Sequence, residues 1–325
     1  MTKEEFLAEW HNDNPRILVH TSGSTGKPKP LMVEKRRMLN SARITCDFLG
    51  LKPGDTALLC MPLDYIAGKM MVVRSLQRDL RLTSVRPSSH PLADETLPSF
   101  TFAAMVPMQV YNSLKVPCER ERLMRIRHLI IGGGAISDEL AQMIKPLPNA
   151  VWSTYGMTET LSHIALRRLN GPDASLWYTP FDGVGISLNA DGCLVIDAPE
   201  VCAEPLVTND IALLRTDDRT GKTLFRIKGR KDNVVCSGGI KIQIEEVEET
   251  LRPHLSAPFM IVKKQDEMLG EKAILLTESA DLTHIEEICR NTLPKYWVPR
   301  EFLHIDHLPL TETGKPKRTL PFTPR

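Results

Sequence analysis

A chain of 325 residues is long enough for one large domain and a smaller one, each with its own core. A formal net charge of +1, with 25% charged and 42% hydrophobic residues, leaves no basic excess for holding nucleic acid or an anionic membrane. The seven cysteines (Cys46, Cys60, Cys118, Cys193, Cys202, Cys236, Cys289) form no Cys-x-x-Cys pair, which argues against a zinc site and a disulfide framework. The opening MTKEEFLAEWHNDNP has early acids and no apolar stretch of signal-peptide length, and no later run is long enough to span a bilayer. The expectation is a cytoplasmic protein with reduced thiols.

Along the chain, residues 3–11 read as a short helix with Phe6, Leu7 and Trp10 on one side, and 16–20 as an apolar strand. A helix is expected over 34–49, then the turn Lys52-Pro-Gly-Asp55 and a buried strand over 56–61. Further on come a helix over 66–78, a strand over 100–106, a helix over 107–114 and a strand over 126–131. The last runs into Gly132-Gly-Gly and a helix capped by Ser137, with Asp138 and Glu139 in its first turn. This alternation implies an α/β fold with a mostly parallel sheet covered on both faces. From about 176 to 228 short strands and tight turns take over. A strand–turn–strand at 233–244 and a helix at 245–251 then begin a small α+β domain. The expected partition is 1–231 and 232–325.

The segment His20-Thr-Ser-Gly-Ser-Thr-Gly-Lys-Pro-Lys29 directly follows an apolar strand. Its glycines admit close backbone approach to an oxyanion, Thr21, Ser22, Ser24 and Thr25 add donors, and Lys27 and Lys29 add charge. A Walker A loop needs four residues between its first glycine and Gly-Lys, then a helix. Here two residues separate Gly23 from Gly26, and Pro28 and Pro30 forbid an immediate helix. A phosphate cradle and an ordinary surface loop are the two readings left by composition alone.

The cradle resembles the signature loop of the adenylate-forming superfamily (acyl-CoA synthetases, luciferase, peptide-synthetase adenylation domains), and six further motifs follow in order. Tyr155-Gly-Met-Thr-Glu159, preceded by Thr154, is similar to the second nucleotide motif. The resemblance implies that Tyr155 stacks on adenine with Thr154, Gly156 and Met157 alongside. It further implies that Thr158 contacts the α-phosphate and Glu159 holds Mg²⁺. Gly132 to Ala135, including Gly133 and Gly134, resembles the turn against adenine and substrate. Thr208-Asn-Asp210 is similar to Thr-Gly-Asp, whose aspartate takes the ribose hydroxyls. Gly229-Arg230 and Asp232 match the ribose-binding arginine and the interdomain hinge. Ser237-Gly238-Gly239 matches the turn lining the pantetheine tunnel, and Thr313-Gly-Lys315 the mobile lysine that bridges carboxylate and phosphate. The implied fold is that of an adenylate-forming enzyme with a large N-terminal domain and a small mobile C-terminal one. The implied partners are ATP, Mg²⁺, coenzyme A and a small carboxylic acid, with no nucleic acid and no membrane. Self-association is left open.

Residues 61–76, MPLDYIAGKMMVVRSL, resemble the acid-side helix of the o-succinylbenzoate–CoA ligases of menaquinone biosynthesis, and the whole chain resembles a short Bacteroidetes-type form of that ligase. On that match Tyr65 stands where the family has histidine, Arg74 where it has a basic residue, and His163 where it has glutamine. A dicarboxylate would want Arg74 as a buried cation, whereas the same residue could be a solvated cation on the helix surface. Likewise Glu159 could be a first-turn carboxylate favoured by a helix dipole. The chain begins just before the cradle, so the large domain is expected to be truncated, either pared down or shielded by another subunit. Asn209 replaces a glycine, tolerable because Asn accepts left-handed angles, and Pro30 replaces another. Another acyl- or aryl-CoA ligase, and a scaffold that no longer catalyses, are the competing functions.

Overall fold

The structure, a computed structural model, describes residues 1–20, 30–310 and 317–318. The cradle residues Thr21, Ser22, Gly23, Ser24, Thr25, Gly26, Lys27 and Lys29, and also Lys315, lie outside the described residues. The chain divides into two compact units, residues 1–187, 196–206 and 214–226 forming one and 188–195, 207–213 and 227–325 the other.

The first elements are α1 (Lys3–His11), β1 (Arg16–His20), β2 (Pro30–Glu34), α2 (Lys35–Phe48), β3 (Thr56–Leu59), α3 (Ile66–Arg78) and β4 (Arg81–Ser84). Then come β5 (Phe102–Met105), α4 (Pro107–Lys115), α5 (Pro117–Met124), β6 (His128–Ile131), α6 (Asp138–Ile144), β7 (Ala150–Gly156), β8 (His163–Arg168) and β9 (Thr179–Pro180). Local chemistry explains the starts. Thr2 caps α1 by accepting from Glu5 N at 3.1 Å, while the Glu5 carboxylate accepts from Thr2 N at 2.7 Å. Ser137 accepts from Leu140 N at 3.2 Å and caps α6 as expected. Pro107 and Pro117 occupy the first turns of α4 and α5, where a missing N–H costs nothing.

A seven-stranded sheet in the order β4-β3-β5-β6-β7-β8-β9 forms the centre of the first unit. Strands β4 through β7 run parallel, and β8 and β9 are antiparallel. Strand β5 is buried throughout, and β3 and β6 in all but their first residues, the burial expected of parallel strands covered on both faces. The chain leaves β3 in one direction for β4 and returns on its other side to β5. That reversal is a topological switch point, and the carboxyl ends of the parallel strands beside it are the usual ligand position in such sheets. The β1–β2 pair is a separate antiparallel ribbon that buries Ile17, Val19 and Val33 and leaves Leu18 opposite Met32 on its outer face.

Strands β10 (Gly185–Leu188), β11 (Cys193–Asp197), β12 (Leu206–Thr216) and β13 (Thr223–Arg230) form a four-stranded sheet in that order. A short 3-10 turn, Lys231–Asn233, contains the position expected as the domain boundary. Next are β14 (Val234–Ser237), β15 (Ile240–Gln243), α7 (Ile244–Leu251), β16 (Phe259–Asp266), β17 (Gly270–Thr277), α8 (Leu282–Thr292) and β18 (Glu301–His304). The last five strands form a sheet ordered β15-β14-β17-β16, with β18 parallel to β17. Val247 and Leu251 of α7 and Ile285 and Cys289 of α8 pack with Val235, Ile261 and Leu275 of that sheet into one core. Near the end of the chain, Arg318 forks onto both oxygens of Glu248 at 2.5 and 2.7 Å and donates to Ile261 O at 2.7 Å.

Candidate active site

The Tyr155 motif sits where β7 ends and the chain doubles back into β8. The register slips between Tyr155 and Gly156, and the hydroxyl of Thr160, fully buried, fills the turn. Its Oγ1 accepts from Met157 N at 2.9 Å and donates to Ser162 O at 2.7 Å. Leu161 takes a left-handed φ of 65°, a strained setting for a branched side chain that marks an over-determined turn. No helix follows the motif, so the helix-dipole reading of Glu159 fails: Glu159 lies exposed on the turn and Thr158 is buried beside it. At Gly156 the backbone of the returning strand is so close that an added Cβ would meet Ser162 O at 2.3 Å and His163 Cα at 2.5 Å. Gly156→Ala is therefore expected to cost about 3 kcal/mol of stability. Thermal unfolding measures it; an unchanged Tm would contradict it.

The neighbouring strand end meets the same turn. A Cβ on Gly132 would lie 2.5 Å from Thr154 Oγ1, so the Gly132–Gly134 segment and Thr154 face each other closely at the carboxyl ends of β6 and β7. Tyr155 is half-buried in a group of rings, edge-on to Phe225 at 5.0 Å and tilted against Tyr178 at 5.7 Å. Tyr178 and Phe225 stack at 5.3 Å and also exchange backbone hydrogen bonds, while Tyr178 Oη and Ser153 Oγ lie 2.9 Å apart. Tyr155 is thus held as a rigid aromatic edge beside the glycine turn.

Arg74 is not a helix-surface cation. It is 2% exposed and among the largest fully buried side chains of the described residues. Helix α3 is buried over Gly68 through Ser75, which removes solvent from that part of the helix. No described carboxylate reaches Arg74, its Nε has no hydrogen-bond partner, and burial pulls its guanidinium down to about 10. Nη2 donates to Ser162 Oγ at 2.5 Å. Ser162 Oγ lies 3.2 Å from His163 Nδ1, and His163 Nε2 lies 3.2 Å from Thr45 Oγ1. Burial first, and then the charge of Arg74, push His163 well below its ordinary range, so the ring is neutral. Tyr65 does not join this group. It precedes α3, 36% exposed, about 13 Å along the helix from Arg74. Lys69, the other buried cation of α3, packs against Met1 Sδ at 3.2 Å and over the Phe6 ring, where it serves packing.

The second unit holds its own cluster. Arg230 reaches Asp232 at 2.8 Å and Asp210 at 3.7 Å, and Asn209 Nδ2 donates to Asp232 at 3.3 Å. Burial works against the charge of Arg230, but the two aspartates outweigh it and raise its pKa. Asn209 lies within β12 and is not left-handed, so the reason given for tolerating it does not apply: an extended strand accepts any such residue. Gly238 and Gly239, at φ 57° and 83°, form the two-residue turn between β14 and β15, which requires positive φ at both. Sequence reading missed Thr45, Thr160 and Ser162 as working residues; Thr160 and Ser162 directly follow the Tyr155–Glu159 motif, and Thr45 gave no signal.

A parallel sheet with a glycine-rich turn at its strand ends, a braced aromatic edge and a buried cation without a carboxylate frames the candidate site. The model of the AMP-binding enzyme family matches residues 3–203, and the chain belongs to that family. An acyl-CoA synthetase (AMP-forming)/AMP-acid ligase II-like protein from Dyadobacter fermentans is 33% identical in sequence. Its superposition covers 97% of this chain and 91% of that one at a TM-score of 0.67. The 2-succinylbenzoate–CoA ligase of Bacillus mycoides is 26% identical over 96% of this chain and 70% of its own length. O-succinylbenzoate coenzyme A synthetase from Bacillus subtilis, in complex with ATP and magnesium ion, shares the fold at a TM-score of 0.73. It is 23% identical, over 93% of this chain and 68% of that one. Among the described residues no helix is long and apolar enough to cross a membrane.

Proposed function

We propose that this chain is an ATP-dependent acid–CoA ligase whose acid is o-succinylbenzoate, acting in menaquinone biosynthesis. The observation that supports the choice of acid is Arg74: a buried guanidinium without a carboxylate costs stability and is satisfied by a second carboxylate on the substrate. One carboxylate of the acid attacks the α-phosphorus of ATP, forming acyl-adenylate and releasing pyrophosphate; the thiol of CoA then displaces AMP.

In this mechanism Thr21 through Lys27 hold the phosphates, Tyr155 stacks on adenine between Gly133–Ala135 and Thr154–Met157, and Thr158 donates to the α-phosphate. Asp210 and Arg230 hold the ribose. Asp232 is the hinge about which the small domain, taken as residues 232–325, exchanges Lys315 for Gly238 and Gly239 between the two steps. The residues fit Mg²⁺ brought in on ATP, since Glu159 is an exposed carboxylate on the turn after β7. Mg²⁺ needs only one or two carboxylates when substrate phosphates supply the rest. When bound, it neutralises charge on the phosphates. We further propose a cytoplasmic enzyme with small molecules, not nucleic acid or membrane, as its partners.

The test is pyrophosphate release by the purified protein with ATP, Mg²⁺ and CoA across a panel of acids. O-succinylbenzoate should exceed benzoate and medium-chain fatty acids by roughly a hundredfold in kcat/KM, because those acids leave Arg74 unpaired. A preference for fatty or simple aryl acids would assign a different acid. No release with any acid would leave a nucleotide-binding scaffold.

A further inference from the structure

The hydrogen bonds around His163 can be given directions. Thr45 Oγ1 lies 3.1 Å from Ser41 O, one helical turn back in α2, and a carbonyl can only accept. With the hydroxyl proton of Thr45 on Ser41 O, the contact to His163 Nε2 at 3.2 Å places a hydrogen on that nitrogen. A neutral ring protonated on Nε2 has a bare Nδ1, which accepts from the Ser162 hydroxyl at 3.2 Å. Ser162 Oγ, its proton committed, offers a lone pair to Arg74 Nη2 at 2.5 Å. Every bond in the chain from Ser41 to Arg74 then runs without conflict. Thr45, Ser41 and His163 are buried, Ser162 is half-buried, and the chain joins residues 118 positions apart.

We infer that Thr45 is a positioning residue of the acid subsite: through His163 and Ser162 it holds the Arg74 guanidinium in one orientation, with the Nε edge left for the unreacting carboxylate of a dicarboxylic acid. Thr45 touches no substrate; it selects the tautomer of His163, and His163 sets the Ser162 hydroxyl. Without the Thr45 oxygen, His163 is free to move its proton to Nδ1. Ser162 then accepts from the ring as well as from Arg74, and its hydroxyl loses the donated bond to His163 that fixed its direction. The inference rests on the proposed function for the identity of the acid, but not for the tautomer.

Two measurements test it on the full chain. Nitrogen-15 NMR of the histidine rings should show His163 as the Nε2–H tautomer, lost in Thr45→Val and kept in Thr45→Ser. An Nδ1–H ring in the unmodified protein would overturn the inference whatever the substrate. In steady state, Thr45→Val should raise KM for o-succinylbenzoate roughly tenfold, the worth of one misdirected hydrogen bond to a charged group, with KM for ATP and kcat within about twofold. Thr45→Ser should restore it. With 4-oxo-4-phenylbutanoate, which lacks the ring carboxylate, Thr45→Val should change KM by less than about twofold. Equal losses with both acids would show a role in folding alone and overturn the inference while the proposed function stands. If the unmodified protein turns over fatty acids and not o-succinylbenzoate, the proposed acid falls, and the tautomer result still decides what Thr45 does.

Discussion

Arg74→Met should lower kcat/KM for o-succinylbenzoate by roughly a hundred- to a thousandfold while leaving the Tm unchanged or higher. The two signs differ because Arg74 is a liability in the free protein and an asset in the complex. Its guanidinium is buried, reached by no described carboxylate, and drawn down to about 10 by desolvation, which corresponds to about 3 kcal/mol held against the charged form. That cost is present in full below the lowered value and eases as the group deprotonates above it, so at neutral pH an apolar chain of similar length relieves it. Met71 already places its sulfur 3.8 Å from Nη1, so a thioether suits the surroundings. A bound carboxylate reverses the balance by supplying the missing charge. Calorimetry and acid kinetics on one preparation decide the matter. A Tm lowered by several degrees alongside the lost activity would make Arg74 a structural cation and remove the main support for a dicarboxylate.

Lys315→Ala should lower adenylate formation by roughly a thousandfold, yet leave thioester formation from pre-made acyl-adenylate and CoA within about twofold. The first step brings a carboxylate onto a triphosphate, and a cation bridging the two stabilises charge that exists together only in that transition state. The second step has lost pyrophosphate and needs a path for a thiol. Single-turnover assays of each half-reaction separate the effects. Equal losses in both would contradict a hinge at Asp232 that exchanges Lys315 for Gly238 and Gly239.

Much of the fold was legible because its signals are local. The cap at Ser137, the turn at Lys52–Asp55 and the apolar runs of β3, β5 and β6 all state their structure within a few residues. Helix α5 was not seen, since only Glu119 and Leu123 are buried along it and no apolar stripe results. Strand β2 hid behind Pro30, which opens it as the first residue of a ribbon, a position that tolerates a missing N–H. The turn after Gly156 has no glycine or proline to announce it; the buried Thr160 hydroxyl and a left-handed Leu161 make it.

The candidate site divides the same way. Its short motifs were readable in order, because each depends on a few adjacent residues. The environment of Arg74 was not, since whether one helix residue meets water depends on what packs over α3. Thr45 was invisible for a stronger reason: its role exists only through a contact with His163, far away in the chain. Tyr65 was singled out by its place in a motif, but the structure leaves it near the surface and away from Arg74.

Exchange of labelled pyrophosphate into ATP, run without CoA, isolates the step on which everything else depends. The proposed mechanism predicts exchange that requires o-succinylbenzoate and Mg²⁺, with o-succinylbenzoyl-adenylate recoverable from the enzyme. Exchange independent of any acid, or formation of ADP in place of AMP, would contradict it.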